Sequence, residues 1–84
     1  MRMSSLIKFK YNGNVYEAYL HKCKRCGRVN VILYSTEYFI CEYCNHVEKL
    51  KVEIEKSVTD YEPVEKWREI RDELLLRFAF TETG

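Results

Sequence analysis

The sequence predicts a small α+β fold: an N-terminal β-hairpin and an antiparallel sheet, about five short strands in all, followed by one C-terminal amphipathic helix. Three observations predict it. Two β-favouring runs flank Asn12-Gly13, short apolar runs with strand-like spacing recur as far as Glu55, and beyond Pro63 the apolar residues recur at steps of three and four. With 84 residues the chain has room for a single domain over 1–84, since independently folding domains usually need about 50 residues or more.

Residues 6–20 form the hairpin. Asn-Gly is the pair best suited to the positive φ angles of a two-residue type I′ turn. With Asn12 and Gly13 as the loop, Tyr11 faces Asn14, Lys10 faces Val15, Phe9 faces Tyr16, Lys8 faces Glu17 and Ile7 faces Ala18. Ile7, Phe9, Tyr16 and Ala18 then share one face, and Lys8 pairs with Glu17 on the other. Val29 to Tyr34 is rich in β-branched residues and Tyr38 to Ile40 is a second short apolar run, which places a turn in Ser35 to Tyr38. Leu50, Val52 and Ile54 alternate with Lys49, Lys51, Glu53 and Glu55, the period of a half-buried strand. Lys56 to Glu62 reads as a polar connection.

Pro63 suits the first position of a helix over 63–79. Its stripe of Val64, Trp67, Ile70, Leu74 and Phe78 is expected to pack on the sheet, supported by the pairs Glu62–Lys66, Arg68–Asp72 and Glu73–Arg77, each four residues apart. Leu75 and Leu76 widen the apolar arc. Together with Trp67 they are the candidate docking surface for a protein partner or a second copy of the chain. Residues 81–84 are expected to fray.

The net charge of +1 divides unevenly. Met1 to Lys51 carries nine basic and four acidic side chains, whereas Val52 to Gly84 carries five basic and nine acidic ones, an asymmetry that suits either an anionic partner or mutual attraction of the two halves. The first ten residues do not read as a secretory signal, and no apolar run approaches the roughly 20 residues that span a bilayer. An intracellular, cytoplasmic protein with no membrane partner is therefore expected. In a reducing compartment, paired cysteines hold metal or do redox chemistry more often than they form disulfides.

Cys23-Lys24-Arg25-Cys26-Gly27 and Cys41-Glu42-Tyr43-Cys44-Asn45 have the same form, with fourteen residues between the pairs. Zinc takes four soft or borderline ligands in a tetrahedron, and two cysteines separated by two residues both reach one ion from a tight turn. Two such turns complete the shell, with Cys23, Cys26, Cys41 and Cys44 as ligands of one structural Zn2+. Gly27 and Asn45 follow the second cysteine of each turn, where a left-handed backbone is wanted and these two residue types tolerate it best. An iron centre would use the same thiolates, but iron carriers of this type are acidic, whereas Lys22, Lys24, Arg25 and Arg28 crowd the first turn. A redox pair would want its motif at a helix N-terminus, and neither motif lies there. His21 and His46 flank the motifs and read as partly exposed neighbours rather than ligands, each able to donate to a thiolate.

The two motifs and their flanking strands resemble the zinc ribbon family, of the small archaeal or viral type, over 22–55. The resemblance implies two zinc knuckles at one end of a small antiparallel sheet, with the ligand roles on Cys23, Cys26, Cys41 and Cys44. Both knuckles lack the proline often found between the family's cysteines, and Asn45 replaces the common second glycine. The resemblance also implies association with transcription, replication or translation machinery.

A tetrathiolate ion has no open position for water or substrate. No phosphate loop, metalloprotease helix, nucleophile elbow or carboxylate pair is present either. The expectation is a non-enzymatic protein without a small-molecule substrate. Lys22, Lys24, Arg25 and Arg28, with Lys49 and Lys51 further along and Tyr19, Tyr34, Tyr38, Phe39 and Tyr43 near by, make DNA or RNA the expected partner through phosphate contacts and base stacking. A protein-interaction adaptor docking through the helix is the alternative.

Overall fold

The computed structural model describes residues 4–79. Five antiparallel strands form two sheets, and one helix follows them: β1 (Ser4–Tyr11), β2 (Asn14–Lys22), β3 (Val29–Ile32), β4 (Thr36–Ile40), β5 (Val47–Val52) and α1 (Val64–Leu74). The hairpin has the expected register, from Tyr11 opposite Asn14 to Ile7 opposite Ala18. Asn12 and Gly13 supply its turn with φ of 54° and 83°. Lys8 lies opposite Glu17, but the Glu17 carboxylate instead accepts the amides of Glu55 (3.0 Å) and Lys56 (3.4 Å).

The strands divide into β1-β2-β3 and β4-β5. β3 pairs with β2 rather than with β4, so each cysteine motif is itself the turn of a hairpin: the first joins β2 to β3, the second β4 to β5. The turn between β3 and β4 falls earlier than the expected 35–38. The Leu33 carbonyl is taken by the Ser57 hydroxyl, which ends β3, and Ser35 is held by Ile54, whose amide donates to its Oγ at 2.8 Å. β5 begins before its expected start, at Val47.

Because side chains alternate across a strand, the three-stranded sheet has two different faces. Phe9, Tyr16, Ala18 and Leu33 lie on one and meet Ile70 and Leu74 of α1, with Trp67 and Phe78 packed at the margin. Ile32 and half-buried Tyr19 lie on the other and meet Phe39, Val52 and Ile54 from the second sheet. The order is helix, sheet, sheet, with β3 contributing to both cores. Lys56 to Glu62 is less of a plain connection than its composition suggests. It holds a 3-10 turn (Val58–Asp60) capped by Ser57, and Val58 is completely buried in the first core.

Pro63 sits one residue before α1, at its N-cap, rather than at its first position. After Leu74 the helix widens into a π-helical turn (Leu75–Ala79). Steps of four residues in a 3.6-residue helix advance by about 40° each, and the wider turn offsets that drift, keeping Phe78 beside Leu74 on the core. Of the expected helix pairs, Glu73–Arg77 is formed (3.5 Å), while Lys66 pairs with Glu69 (3.4 Å) and Arg71 reaches Glu42 (2.9 Å). Among the described residues no helix is long and apolar enough to cross a membrane.

Candidate metal centre

The two motifs fold alike. In the first, the Cys23 amide donates to the Arg28 carbonyl and the Gly27 amide to the Cys23 carbonyl, both at 2.9 Å; in the second, Cys41 donates to His46 and Asn45 to Cys41, again at 2.9 Å. Gly27 and Asn45 take the left-handed backbone with φ of 76° and 61°. This turn leaves the remaining amides aimed inward, so that the Arg25 amide lies 3.4 Å from Cys23 Sγ.

The four sulfurs converge, all within 4.8 Å of one another. Cys23 Sγ is 3.6 Å from Cys44 Sγ, and Cys26 Sγ is 3.5 Å from Cys41 Sγ. Zinc–sulfur bonds of about 2.3 Å in a regular tetrahedron put the sulfurs about 3.8 Å apart, so these two edges suit a cage for one ion. Cys23 and Cys41 are closed off from solvent at 1 % and 0 % exposure and belong to the second core, while Cys26 lies open.

The electrostatics also call for a cation. Burial raises the Cys41 thiol, but the amides of Cys44 and Tyr43, the Cys26 thiol and the Asn30 side chain outweigh it and bring it down to about 6. For Cys44 the His46 amide lowers the thiol, yet burial and the three neighbouring thiols push it up to about 12. The Arg28 amide likewise lowers Cys26, and burial with the Cys41 and Cys23 thiols leaves it raised. One thiolate forms readily and then opposes its neighbours. A positive ion at the centre of the cluster offsets that opposition, so the four cysteines can coordinate one metal ion.

Asn30 ties the two turns together and carries no motif that would single it out in the sequence. It is buried on β3, donates from Nδ2 to the Arg28 carbonyl (3.3 Å) and to Cys41 Sγ (3.6 Å), and accepts the Glu42 amide on Oδ1 (2.9 Å). His21 corrects the expectation of a partly exposed histidine. At 3 % exposure it lies between the sheets, its ring edge-on to Phe39 (4.5 Å) and its Nε2 3.4 Å from Glu48 Oε2. His46 is half-buried and serves the second turn through its backbone.

The candidate cations separate into two groups. Lys22, Lys24, Arg25 and Arg28 are all exposed on the first turn, and among the described residues none makes an ion pair; the Arg28 guanidinium lies over the Tyr43 ring, 4.9 Å from its centroid. Lys49 and Lys51 lie on β5, where Lys49 is opposite Tyr38 and Lys51 pairs with Glu53 (3.3 Å). Among the described residues, the ion pair between α1 and the cysteine turns runs from Arg71 to Glu42 on the second turn, and no helix acid pairs with a first-turn cation. Trp67, Leu75 and Leu76 do not form one exposed surface. Trp67 is half-buried with its Nε1 donating to the Glu62 carbonyl (2.7 Å), Leu75 is half-buried, and Leu76 alone is open at 63 %.

No family model, curated protein or solved structure matches the chain. The likeness to zinc ribbons therefore rests on the four cysteines and their geometry.

Proposed function

We propose that the chain is a non-enzymatic, zinc-stapled module that binds nucleic acid through its first cysteine turn. Zinc is the ion that a closed set of four thiolates among basic side chains suits best. Bound there, it has no open coordination position, so its contribution is to hold the two turns in place. The reading is carried by one observation: Lys22, Lys24, Arg25 and Arg28 are exposed and, among the described residues, without an ion pair at the turn that carries Cys23 and Cys26. Cations held apart from acids are available to phosphate oxygens, and the half-open Tyr43 ring beneath Arg28 adds a stacking surface.

Fluorescence anisotropy with labelled single-stranded RNA and DNA, across a salt series, tests this. Four phosphate contacts on a single strand predict a slope of about −2.8 in log K against log salt, at about −0.7 per contact. Changing Lys24, Arg25 and Arg28 together to alanine should leave a slope near −0.7 and weak binding. No association at low salt, or an unchanged slope in the triple variant, would refute the proposal.

A further inference from the structure

A groove of roughly 640 Å³ runs between α1 and the two sheets. One wall is helical, formed by Val64, Trp67, Arg68 and Arg71; the other is formed by residues 30–34 and 38–42 in unbroken succession. A strand that presents a face to a cavity contributes alternate residues, so continuous runs mean that the cavity lies along strand edges. The strand order agrees. Among the described residues β3 is paired only on its β2 side and β4 only on its β5 side, and no β2 or β5 residue lines the groove. Two unpaired edges therefore look into one cleft, which is where sheets recruit a further strand.

We infer that this groove receives an extended polypeptide segment of another protein, with acidic and apolar residues in alternation, which pairs with the outer edge of β3 as a fourth strand of the β1-β2-β3 sheet. The backbone chemistry selects a polypeptide, because only a main chain supplies amides and carbonyls at the spacing of a strand edge. The walls select its side chains. An added strand sends successive side chains to opposite faces. One set points toward α1, where Arg68 is exposed and makes no ion pair among the described residues, and where Arg71 Nε is buried without a hydrogen-bond partner there. The Arg71 terminal nitrogens reach Glu42 and Asp72, which leaves the wall a surplus of positive charge at Arg68. The other set points toward the second sheet, where Ile32 and Phe39 line the groove, and takes apolar side chains. The edge is short: β3 runs over the four residues Val29–Ile32, so the paired part of the segment is about four residues, about 13 Å at roughly 3.3 Å per residue.

Trp67 is the one tryptophan of the chain and lies in the helical wall, so the groove has its own optical probe. The full chain is titrated with a capped peptide of nine residues alternating glutamate and valine, and with two twins N-methylated at alternate amides in either frame. The parent peptide should shift the Trp67 emission saturably and slow hydrogen exchange at β3 amides, and at least one twin should fail to do so. Arg68→Glu, an exposed helix position, should weaken the peptide about tenfold, as loss of a charge-assisted contact does, while the alanine triple variant of the first cysteine turn should bind it normally. The inference is overturned by the absence of a saturable shift, or by both twins binding as well as the parent. It is equally overturned if an oligonucleotide displaces the peptide and itself protects β3, or if the free chain sediments as a dimer with β3 already protected.

Discussion

Asn30 offers the sharpest test of the metal centre, because one side chain serves both cysteine turns. Asn30→Ala removes its bonds to the Arg28 carbonyl, to Cys41 Sγ and from the Glu42 amide in one step. Two neutral bonds at about 1 kcal/mol each and a thiolate bond at about 1.5–2 kcal/mol give an expected loss of about 3.5–4 kcal/mol. The same change strips a donor from the sulfur of a candidate metal ligand, and losses of that kind weaken metal binding by about 10- to 100-fold. Asn30→Asp separates the two effects. It keeps an acceptor for the Glu42 amide but places a second negative charge where the Cys41 donor was, 3.6 Å from the sulfur in the native chain. Urea unfolding should therefore find the aspartate variant no less stable than the alanine one while metal is in excess, and competition with a chromophoric chelator at fixed pH should find it the weaker metal binder. Wild-type metal affinity in Asn30→Asp would show that the side chain does not act on the thiolate, and the reasoning would fail.

Three further outcomes follow from the same geometry. Asn45, at φ 61°, should tolerate glycine without loss and lose about 1 kcal/mol or more as alanine, read by thermal melting; equal melting of the two variants would contradict the left-handed turn. In the metal-free chain, Cys41 is lowered from 9.0 to about 6, so its contribution is fully present above pH 9 and is lost as pH falls toward 6, while Cys44, raised to about 12, contributes in the opposite sense above pH 9. Chelator-treated protein under reductant should accordingly melt higher at pH 9 than at pH 6. In the metal-free folded chain the amides of β4 and β5 should exchange faster than those of the hairpin and helix, because a two-stranded sheet is marginal without support, and the second core contains Cys23 and Cys41 whereas the first contains no cysteine; equal exchange rates across the chain would refute this.

The parts of the fold legible in the sequence are those set by neighbours in the chain. Asn12-Gly13 determines its own turn, and the turn determines the register of β1 against β2. Each cysteine motif with Gly27 or Asn45 behind it describes a complete local loop. The 64, 67, 70, 74 spacing defines the helix face without reference to what covers it. What could not be read depends on partners distant in sequence. The choice of β2 over β4 as the mate of β3 is made by both faces of the sheet at once, since Ile32 and Leu33 enter different cores. Val58 stands alone in a polar stretch and becomes central because Glu17 holds the main chain at 55–56. His21 lies beside a ligand, which suggests the metal site, but its strand face turns it toward Phe39 and Glu48. Asn30 has an ordinary polar side chain until β3 brings it between the two turns.

A divalent ion held by four thiolates carries two surplus negative charges, and this bears on what the first-turn cations do. Their simplest role would be to neutralise the centre they surround, with no partner required. Four cations exceed that need, because two would balance the ion and its ligands, and the nearest acid on the other turn, Glu42, is already engaged by Arg71. The orientation of Arg28 points the same way: its guanidinium is laid over the Tyr43 ring rather than directed at sulfur. The two roles differ in which quantity they protect. Cations that serve the centre hold its metal affinity, and those that serve phosphate hold the salt slope. The triple alanine variant therefore separates them in a single preparation: retained metal with a flattened slope belongs to a nucleic-acid contact, whereas weakened metal binding with an unchanged slope belongs to charge balance alone.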